Sequence, residues 1–302
     1  MNFSKIFVLG AGAIGSVYGA FLSERNDLVL IGNKTHVKAV NSRGLAISGD
    51  INKTFHLRAD TEIHEIPEKT LIILTTKAYD LAKTIEKTKK LLKKDTVILF
   101  LQNGLGNEQI IKRAVGDKAR ILRGVTTMAA EFFEPGKIRF WNGETNIEQN
   151  EVAEEIAEIF NGCVLKTTLS DDIKREVWDK LIVNCVVNPL SAIFHVKNYE
   201  IVADSLKNVR HEIVKECVEV GKAEGITFPN HLEERIDEKM STYTNFSSMY
   251  QDIVKRKRTE IDFLNGKVVE LGRKHHITTP VNEMLVCLIK FMEEKNGIPR
   301  KY

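Results

Sequence analysis

The sequence is poor in cysteine and carries little net charge. Its 302 residues include four cysteines, none in the close spacing of a metal or redox motif. Reduced, buried thiols are therefore the default interpretation. The eight histidines form no HExxH pattern, so we predict no metal site. A net charge of +3 is too small to indicate a nucleic-acid partner.

Charge is also absent from one local stretch, residues 6–22. A charge-free run that follows Lys5 resembles a secretory signal. The glycines within it are spaced for a turn, however, and no small-residue cleavage site follows. We therefore expect a cytoplasmic protein without a membrane partner. The length predicts about two domains.

The N-terminal segment reads as a strand, a glycine turn and a helix. The strand pattern KIFVLG (residues 5–10) runs into a GxGxxG motif, and a helical pattern continues to Glu24. Glycines so spaced permit a tight turn, close approach of a pyrophosphate and close packing of helix on strand. The helix N-terminus offers unpaired amides to the phosphates. The alternative is a glycine turn that holds no ligand. The candidate cofactor residues are Gly10, Ala11, Gly12, Ala13, Ile14 and Gly15.

The first half of the chain alternates strand-like and helix-like segments. Apolar runs at 27–31, 71–75 and 96–101 read as strands, with a helical pattern from about Tyr79 to Lys93 between the last two. Continuous apolar strands that alternate with helices are typical of a parallel sheet covered on both faces. Lys77 and Asn103 follow two of these strands, at the edge where such sheets bind nucleotides.

The second half is different in pattern. Further strands are predicted at 121–128 and 137–143, with a turn at 134–136, and helical patterns dominate from about Ser170. We place a boundary near Leu169. The predicted fold is α/β, with an N-terminal Rossmann-type parallel sheet domain that binds a dinucleotide (residues 1–169) and an all-α C-terminal domain that binds the substrate (residues 170–302).

The residues after the second strand bear on the choice of cofactor. NAD-specific sites usually carry an Asp or Glu there, which accepts hydrogen bonds from the ribose hydroxyls. This chain has Asn33 and Lys34 instead. Lys34, with Asn33, could receive a 2′-phosphate, so the sequence favours NADP.

A polar stripe lies just past the middle of the chain. Lys180, Asn184 and Asn188 are spaced by four, which places them on one face of a helix that is otherwise apolar. Burial of such groups without partners is costly, so the stripe should meet water, polar side chains or a ligand. Pro189 removes the amide that would bond the carbonyl of Cys185, which predicts a kink. The alternative is a solvated face on which Lys180 pairs with Glu176.

Taken together, these motifs resemble the ketopantoate reductase family over essentially the whole chain. The resemblance is carried by GAGAIG (10–15), TTKAYD (75–80), QNGLG (102–106), EVWDKLIVNCVVNPLSAI (176–193), NFSSMYQDI (245–253) and RTEIDFLNG (258–266). It implies reduction of 2-dehydropantoate to (R)-pantoate with NADPH, in the pathway to pantothenate and coenzyme A. Family members often have an arginine for the 2′-phosphate where this chain has Asn33 and Lys34.

The resemblance also implies roles for individual residues. Lys180 is similar to the catalytic lysine, and a positioned ammonium can stabilise charge on a ketone oxygen and deliver the proton. Glu260 is similar to the second catalytic residue, which also lies at the cofactor. Lys77 is implied as a cofactor contact, and Ser247 as a structural neighbour. The implied substrate residues are Asn103, Asn184, Asn188 and Ser248, of which Asn103 also contacts the cofactor.

The residues around Glu260 allow a separate prediction. Thr259 and Asp262 resemble a capping arrangement, so we expect a helix that begins at Glu260. A carboxylate in a first helical turn is favoured by the helix dipole. Taken without the family, this position could reflect a helix-start preference alone.

Three functional hypotheses follow. The first is the pantoate-forming reductase, and the second is an NADP-dependent reductase of another branched 2-oxo acid. The third is a dinucleotide-binding sensor without turnover, although a sensor would not need a proton donor. Cofactor residues precede Leu169 and most substrate residues follow it, so a site between domains is expected. The predicted partner is a small-molecule substrate, and a homodimer is left open.

Overall fold

The structure is a computed structural model that describes residues 3–298. The chain divides into two compact units. Unit 1 runs from the first described residue to Gln102 and from Asn107 to Ile173. Unit 2 consists of Asn103–Gly106 and of the chain from Lys174 onward.

Unit 1 is an α/β unit. Its strands are β1 (Lys5–Leu9), β2 (Leu28–Ile31), β3 (Leu45–Gly49), β4 (Lys53–Phe55), β5 (Arg58–Asp60), β6 (Thr70–Leu74), β7 (Val97–Phe100), β8 (Arg120–Thr126), β9 (Ala129–Glu134), β10 (Lys137–Trp141), β11 (Thr145–Glu148) and β12 (Thr167–Ser170). Its helices are α1 (Ala13–Leu22), α2 (Lys34–Arg43), α3 (Leu81–Thr88), α4 (Asn107–Val115) and α5 (Glu151–Gly162).

Eight of these strands form one large sheet in the order β12–β11–β8–β7–β6–β1–β2–β5. Only the β8–β11 pair is antiparallel among the described neighbours in this sheet. Every residue of β6 and β7 is buried, which matches their unbroken apolar sequences TLIIL and VILF. The predicted Rossmann-type parallel sheet is confirmed.

A second sheet of four strands, β4–β3–β10–β9, was not predicted. Helix α1 packs against β1 and β2 and also against β3, β9 and β10 of this sheet. The Phe21 ring lies 5.5 Å from the ring of Phe55 and 5.6 Å from that of Phe140, between centroids. The strand pattern predicted at 137–143 therefore belongs to this smaller sheet.

Two predicted segments have different limits in the structure. The predicted helix from Tyr79 to Lys93 is a 3₁₀ turn (Ala78–Asp80) followed by the shorter α3. Residues 167–170 form β12, whose backbone pairs with β11 at the edge of the large sheet. The predicted boundary near Leu169 thus falls within this strand.

Unit 2 is helical. Its elements are α6 (Ile173–Phe194), α7 (Lys207–Ala223), α8 (Leu232–Ser241), α9 (Ser248–Val254), α10 (Asn265–Lys274) and α11 (Pro280–Lys295), with 3₁₀ turns at Asn198–Val202, Asp204–Leu206 and Ile261–Phe263. Within the described part of the chain, α6 alone is long and apolar enough to pass the length and composition test for a membrane span. Its most apolar window is 61% buried inside the protein, as expected for a core helix.

The α-helix predicted to begin at Glu260 was wrong in type and extent. Glu260 precedes a single 3₁₀ turn, and α10 begins only at Asn265. Thr259 Oγ1 accepts from the amide of Ile261 at 3.3 Å, so the expected cap serves this short turn. The backbone of Leu264, at φ −105° and ψ −108°, then interrupts the helical path.

Candidate active site

The glycine turn lies between β1 and α1 in unit 1. Gly10 has φ +122°, and a Cβ there would lie 2.5 Å from the amide nitrogen of Thr76. At Gly15 a Cβ would lie 2.1 Å from the carbonyl oxygen of Gly10. Gly12, by contrast, is exposed, and an added Cβ would meet nothing within 4 Å. Its open side and the absence of a side-chain cap on α1 leave the first-turn amides available to an anion.

Lys77 follows β6, the strand that pairs with β1 in the large sheet. Thr75, directly after β6, donates from its hydroxyl to the carbonyl of Gly10 at 2.9 Å. Lys77 follows two residues later and precedes the 3₁₀ turn Ala78–Asp80. The end of β6 and the glycine turn are thus joined by a hydrogen bond.

The start of α2 carries Asn33 and Lys34, both exposed. Asn33 Oδ1 accepts from the amide of His36 at 2.9 Å and so caps the helix. The capping bond occupies the carboxamide oxygen. Lys34 is the first residue of α2, at the end of the helix where phosphates are favoured.

His36 ties this part of α2 to its surroundings. The amide of Gly136 donates to His36 Nδ1 at 3.1 Å, so the neutral ring carries its proton on Nε2. Nε2 lies 3.1 Å from the hydroxyl oxygen of Ser16, which directly follows Gly15. Burial lowers the pKa of His36 from 6.5 to about 4. A neutral histidine therefore links the second-strand turn to the helix of the glycine motif.

The polar stripe lies on α6 in unit 2, whose single helix contains Lys180, Asn184 and Asn188. Lys180 and Asn184 are partly buried and Asn188 is buried. Asn184 Nδ2 is fully enclosed and has no hydrogen-bond partner among the described residues. An enclosed amide donor without a partner is costly, so a ligand or an ordered water should meet it.

Ser248 begins α9, and its neighbour Ser247 fixes that position. Ser247 Oγ accepts from the amide of Tyr250 at 3.1 Å and caps the helix. Ser191 on α6 donates from its hydroxyl to Ser247 Oγ at 2.6 Å and also contacts the carbonyl of Asn188 at 3.3 Å. The exposed Ser248 is therefore held beside the end of the stripe.

Asn103 belongs to unit 2, although it follows a strand of unit 1. Two residues later, the amide of Leu105 donates to the carbonyl of Phe263 at 3.1 Å. This contact requires a glycine at position 104, because a Cβ there would lie 2.2 Å from the same oxygen. Phe263 ends the 3₁₀ turn that Glu260 precedes. The segments that carry Asn103 and Glu260 are thus in direct contact.

The backbone around Glu260 is also fixed. Glu293 Oε1 accepts from both the amide and the hydroxyl of Thr259, each at 2.7 Å. Glu260 is buried, at 7% exposure. Unit 2 therefore holds Asn103, Lys180, Asn184, Asn188, Ser248 and Glu260, while unit 1 holds the glycine turn, Asn33, Lys34 and Lys77.

Comparison with known proteins settles the family. The model of ketopantoate reductase PanE/ApbA matches residues 6–152, and that of its C-terminal domain matches residues 172–293. A 2-dehydropantoate 2-reductase of Pyrococcus horikoshii is 40% identical over 97% of this chain and 99% of its own length. The chain belongs to the ketopantoate reductase family. A 2-dehydropantoate 2-reductase of Streptococcus pyogenes is 33% identical over 95% of this chain and 97% of its own.

Solved structures agree with this assignment. A PanE/ApbA family ketopantoate reductase from Ralstonia eutropha has a TM-score of 0.90 and 29% identity, covering 97% of this chain and 99% of its own. D-mandelate dehydrogenase in complex with NADH and anilino(oxo)acetate has a TM-score of 0.89 and 29% identity over the same shares. The ketopantoate reductase fold therefore occurs in an enzyme named for another substrate.

Sequence reasoning missed several residues that support this site. Ser191, Gly104 and Asn265 contact or hold the segments that carry candidate residues. One signal was available for Asn265, because the amide missing at Pro189 implies that some other group must bond the carbonyl of Cys185. Among the described residues, no three His, Cys, Asp or Glu side chains are placed to hold a metal ion.

Proposed function

We propose that this protein reduces 2-dehydropantoate to (R)-pantoate with NADPH, in the pathway to pantothenate and coenzyme A. The observation that supports it most directly is the stripe on α6, where Lys180 is followed one turn later by the enclosed, unpartnered amide of Asn184. The reaction follows from family membership. In the stripe, the Lys180 ammonium can donate a proton, and Asn184 Nδ2 is a hydrogen-bond donor that needs a ligand.

Unit 1 fits the dinucleotide. The open side of Gly12 and the uncapped first turn of α1 suit a pyrophosphate. Lys34 would receive the 2′-phosphate at the start of α2, and Lys77 would contact the phosphate and ribose. The absence of a carboxylate after β2 favours NADP over NAD. NADPH, when bound, supplies the hydride for the reduction.

Lys180 has the central role in the chemistry. Its ammonium stabilises the negative charge that develops on the ketone oxygen and then delivers the proton to that oxygen. The charge appears only as the reaction proceeds, so this interaction is stronger in the transition state than with the bound substrate. Loss of Lys180 should therefore lower kcat.

The remaining groups orient the substrate. Asn184, Asn188 and Ser248 provide amide and hydroxyl groups for the carboxylate and hydroxyl of 2-dehydropantoate. Glu260 accepts from the substrate hydroxyl and keeps the geometry around the carbonyl. Asn103, on the segment that contacts the Glu260 turn, bridges cofactor and substrate.

The test is a kinetic assay of the purified enzyme. NADPH absorbance is followed with 2-dehydropantoate and with a panel of other 2-oxo acids, and then with NADH. Lys180→Ala should lose on the order of 10² to 10⁴ in kcat while it binds NADPH normally. Turnover of the Lys180→Ala variant at the wild-type rate would refute the mechanism. Normal NADPH binding by the wild type without turnover of any substrate would favour a sensor.

One observation favours a second candidate activity, the reduction of another branched 2-oxo acid. The similar structure of D-mandelate dehydrogenase shows that this fold occurs in a protein named for a different hydroxy acid. A higher kcat/KM for another branched 2-oxo acid than for 2-dehydropantoate would select that alternative. In either case we place the enzyme in the cytoplasm, with α6 as a core helix.

A further inference from the structure

Pro189 leaves a gap in the hydrogen bonding of α6. A residue at this position would normally donate its amide to the carbonyl four residues earlier, which belongs to Cys185. That carbonyl is buried and instead accepts from Asn265 Nδ2 at 3.0 Å. Because a carbonyl can only accept, the atom of the Asn265 amide that faces it must be the nitrogen.

Asn265 belongs to a small buried network. Its second Nδ2 hydrogen is directed at Asn282 Oδ1, at 2.9 Å. Asn282 in turn donates from its own amide groups to the Glu216 carboxylate, at 2.9 Å from the backbone and 2.7 Å from the side chain. Asn265 and Asn282 are fully buried, and Glu216 is 5% exposed. The Cys185 carbonyl is thereby tied to α7, α10 and α11.

The hydrogen bond between Asn265 and the Cys185 carbonyl joins two segments of unit 2 that each carry candidate site residues. Cys185 directly follows Asn184 on α6, and Asn184 lies one turn beyond Lys180. Asn265 begins α10, directly after the 3₁₀ turn that Glu260 precedes. One hydrogen bond therefore connects the helix of the catalytic lysine with the segment of the catalytic carboxylate.

We propose that Asn265 is a positioning residue for the reduction, which holds Lys180 and Glu260 in register through its bond to the Cys185 carbonyl. This inference rests on the proposed function. Catalytic groups must be held to within a fraction of an ångström, and small displacements are costly in rate. The network is buried and each of its links is a hydrogen bond, which favours a fixed geometry, while Asn265 Oδ1 has no hydrogen-bond partner among the described residues.

The first variant is Asn265→Leu, which has a similar size but no donor. It should lower kcat for 2-dehydropantoate by roughly 10- to 100-fold and leave the affinity for NADPH unchanged. The melting temperature should fall by about 5 °C, since a buried carbonyl loses its partner. Val220→Ala, a buried core substitution on α7, is the matched control that should lower the melting temperature without loss of kcat.

The second variant tests the mechanism of the effect. Pro189→Ala restores a backbone amide that can donate to the Cys185 carbonyl. Asn265→Leu should therefore cost less, in both kcat and melting temperature, when it is made in the Pro189→Ala background. Asn265→Ser, whose donor is too short to reach that carbonyl, repeats the comparison if the leucine variant does not accumulate.

The outcomes separate clearly. A lower melting temperature with normal kcat, measured well below the transition, would reduce Asn265 to a structural role and overturn the proposal. Equal losses in both backgrounds would show that the Cys185 carbonyl is not the relevant acceptor, and would overturn it as well. Wild-type enzyme inactive with every 2-oxo acid would refute the proposed function itself. The coupling between Asn265 and Pro189 would still be measured by the melting temperatures.

Discussion

The backbone amide of Leu105 donates to the carbonyl of Phe263 at 3.1 Å, and this bond joins two loops that each carry a candidate site residue. Asn103 lies two residues before Leu105, and Glu260 lies three residues before Phe263. The contact leaves no room at Gly104, where φ is +82° and a Cβ would lie 2.2 Å from the Phe263 oxygen. The geometry of the loops therefore depends on a glycine.

Gly104→Ala should separate the two loops. We expect a loss of more than about tenfold in kcat/KM for 2-dehydropantoate, because the added methyl displaces Asn103 from the Glu260 segment. The control is Gly225→Ala, at a similar φ of +85° but with nothing within 4 Å of the added Cβ. It should cost about 1 kcal/mol of stability and leave the kinetics unchanged. Matching kinetics for the two variants would argue against the role of this contact.

The start of α2 offers a test of cofactor choice. Lys34→Ala should lower kcat/KM for NADPH by about tenfold or more, and leave that for NADH unchanged, if its ammonium binds the 2′-phosphate. Asn33→Asp keeps an N-cap acceptor and adds a carboxylate that suits a ribose diol, so it should shift the preference towards NADH. An equal fall with both cofactors in Lys34→Ala would count against the 2′-phosphate assignment.

His36 should make the stability of unit 1 depend on pH. Its pKa is lowered by burial from 6.5 to about 4, so the unfolded chain binds the proton more readily between these values. The stabilisation is fully present above about pH 6.5 and is lost as the pH falls towards 4, by about 3 kcal/mol at most. Urea unfolding of His36→Gln should show a shallower acid slope than the wild type. An unchanged acid slope in His36→Gln would count against this account.

The cysteines should differ sharply in reactivity. Cys287 on α11 is exposed, whereas Cys163, Cys185 and Cys217 are buried. Burial also raises the pKa of the Cys163 and Cys185 thiols, which disfavours the reactive thiolate. A disulfide reagent should modify one thiol rapidly in the native protein and the rest only after unfolding. Rapid modification that persists in Cys287→Ser would show that a buried thiol becomes accessible.

The parts of the fold that the sequence predicted have strong periodic signals. β6 and β7 are almost wholly apolar runs, and the glycines are spaced for the turn between a strand and a helix. The second sheet was missed because its strands are partly exposed and lack an unbroken apolar run, as in β4, where two of three residues face solvent. The predicted boundary near Leu169 fell within β12 because its TTLS sequence is polar, and pairing with β11 makes it a strand.

The candidate residues follow a similar division. The spacing of Lys180, Asn184 and Asn188 implies a shared helical face, so that part of the arrangement could be derived from the sequence. No local pattern says that Phe263 will meet Leu105, or that Asn265 will reach Cys185, because these contacts join segments far apart in the chain. The sequence indicated only that the Cys185 carbonyl needs another donor, because Pro189 has no amide hydrogen.

The excursion of residues 103–106 into unit 2 has a practical consequence for anyone who wishes to produce the halves separately. A single cut near residue 173 would leave these four residues attached to the wrong fragment, without the Phe263 carbonyl that accepts from Leu105. The C-terminal fragment from one cut would therefore lack residues 103–106, so unit 2 cannot be expressed as one continuous stretch of the gene.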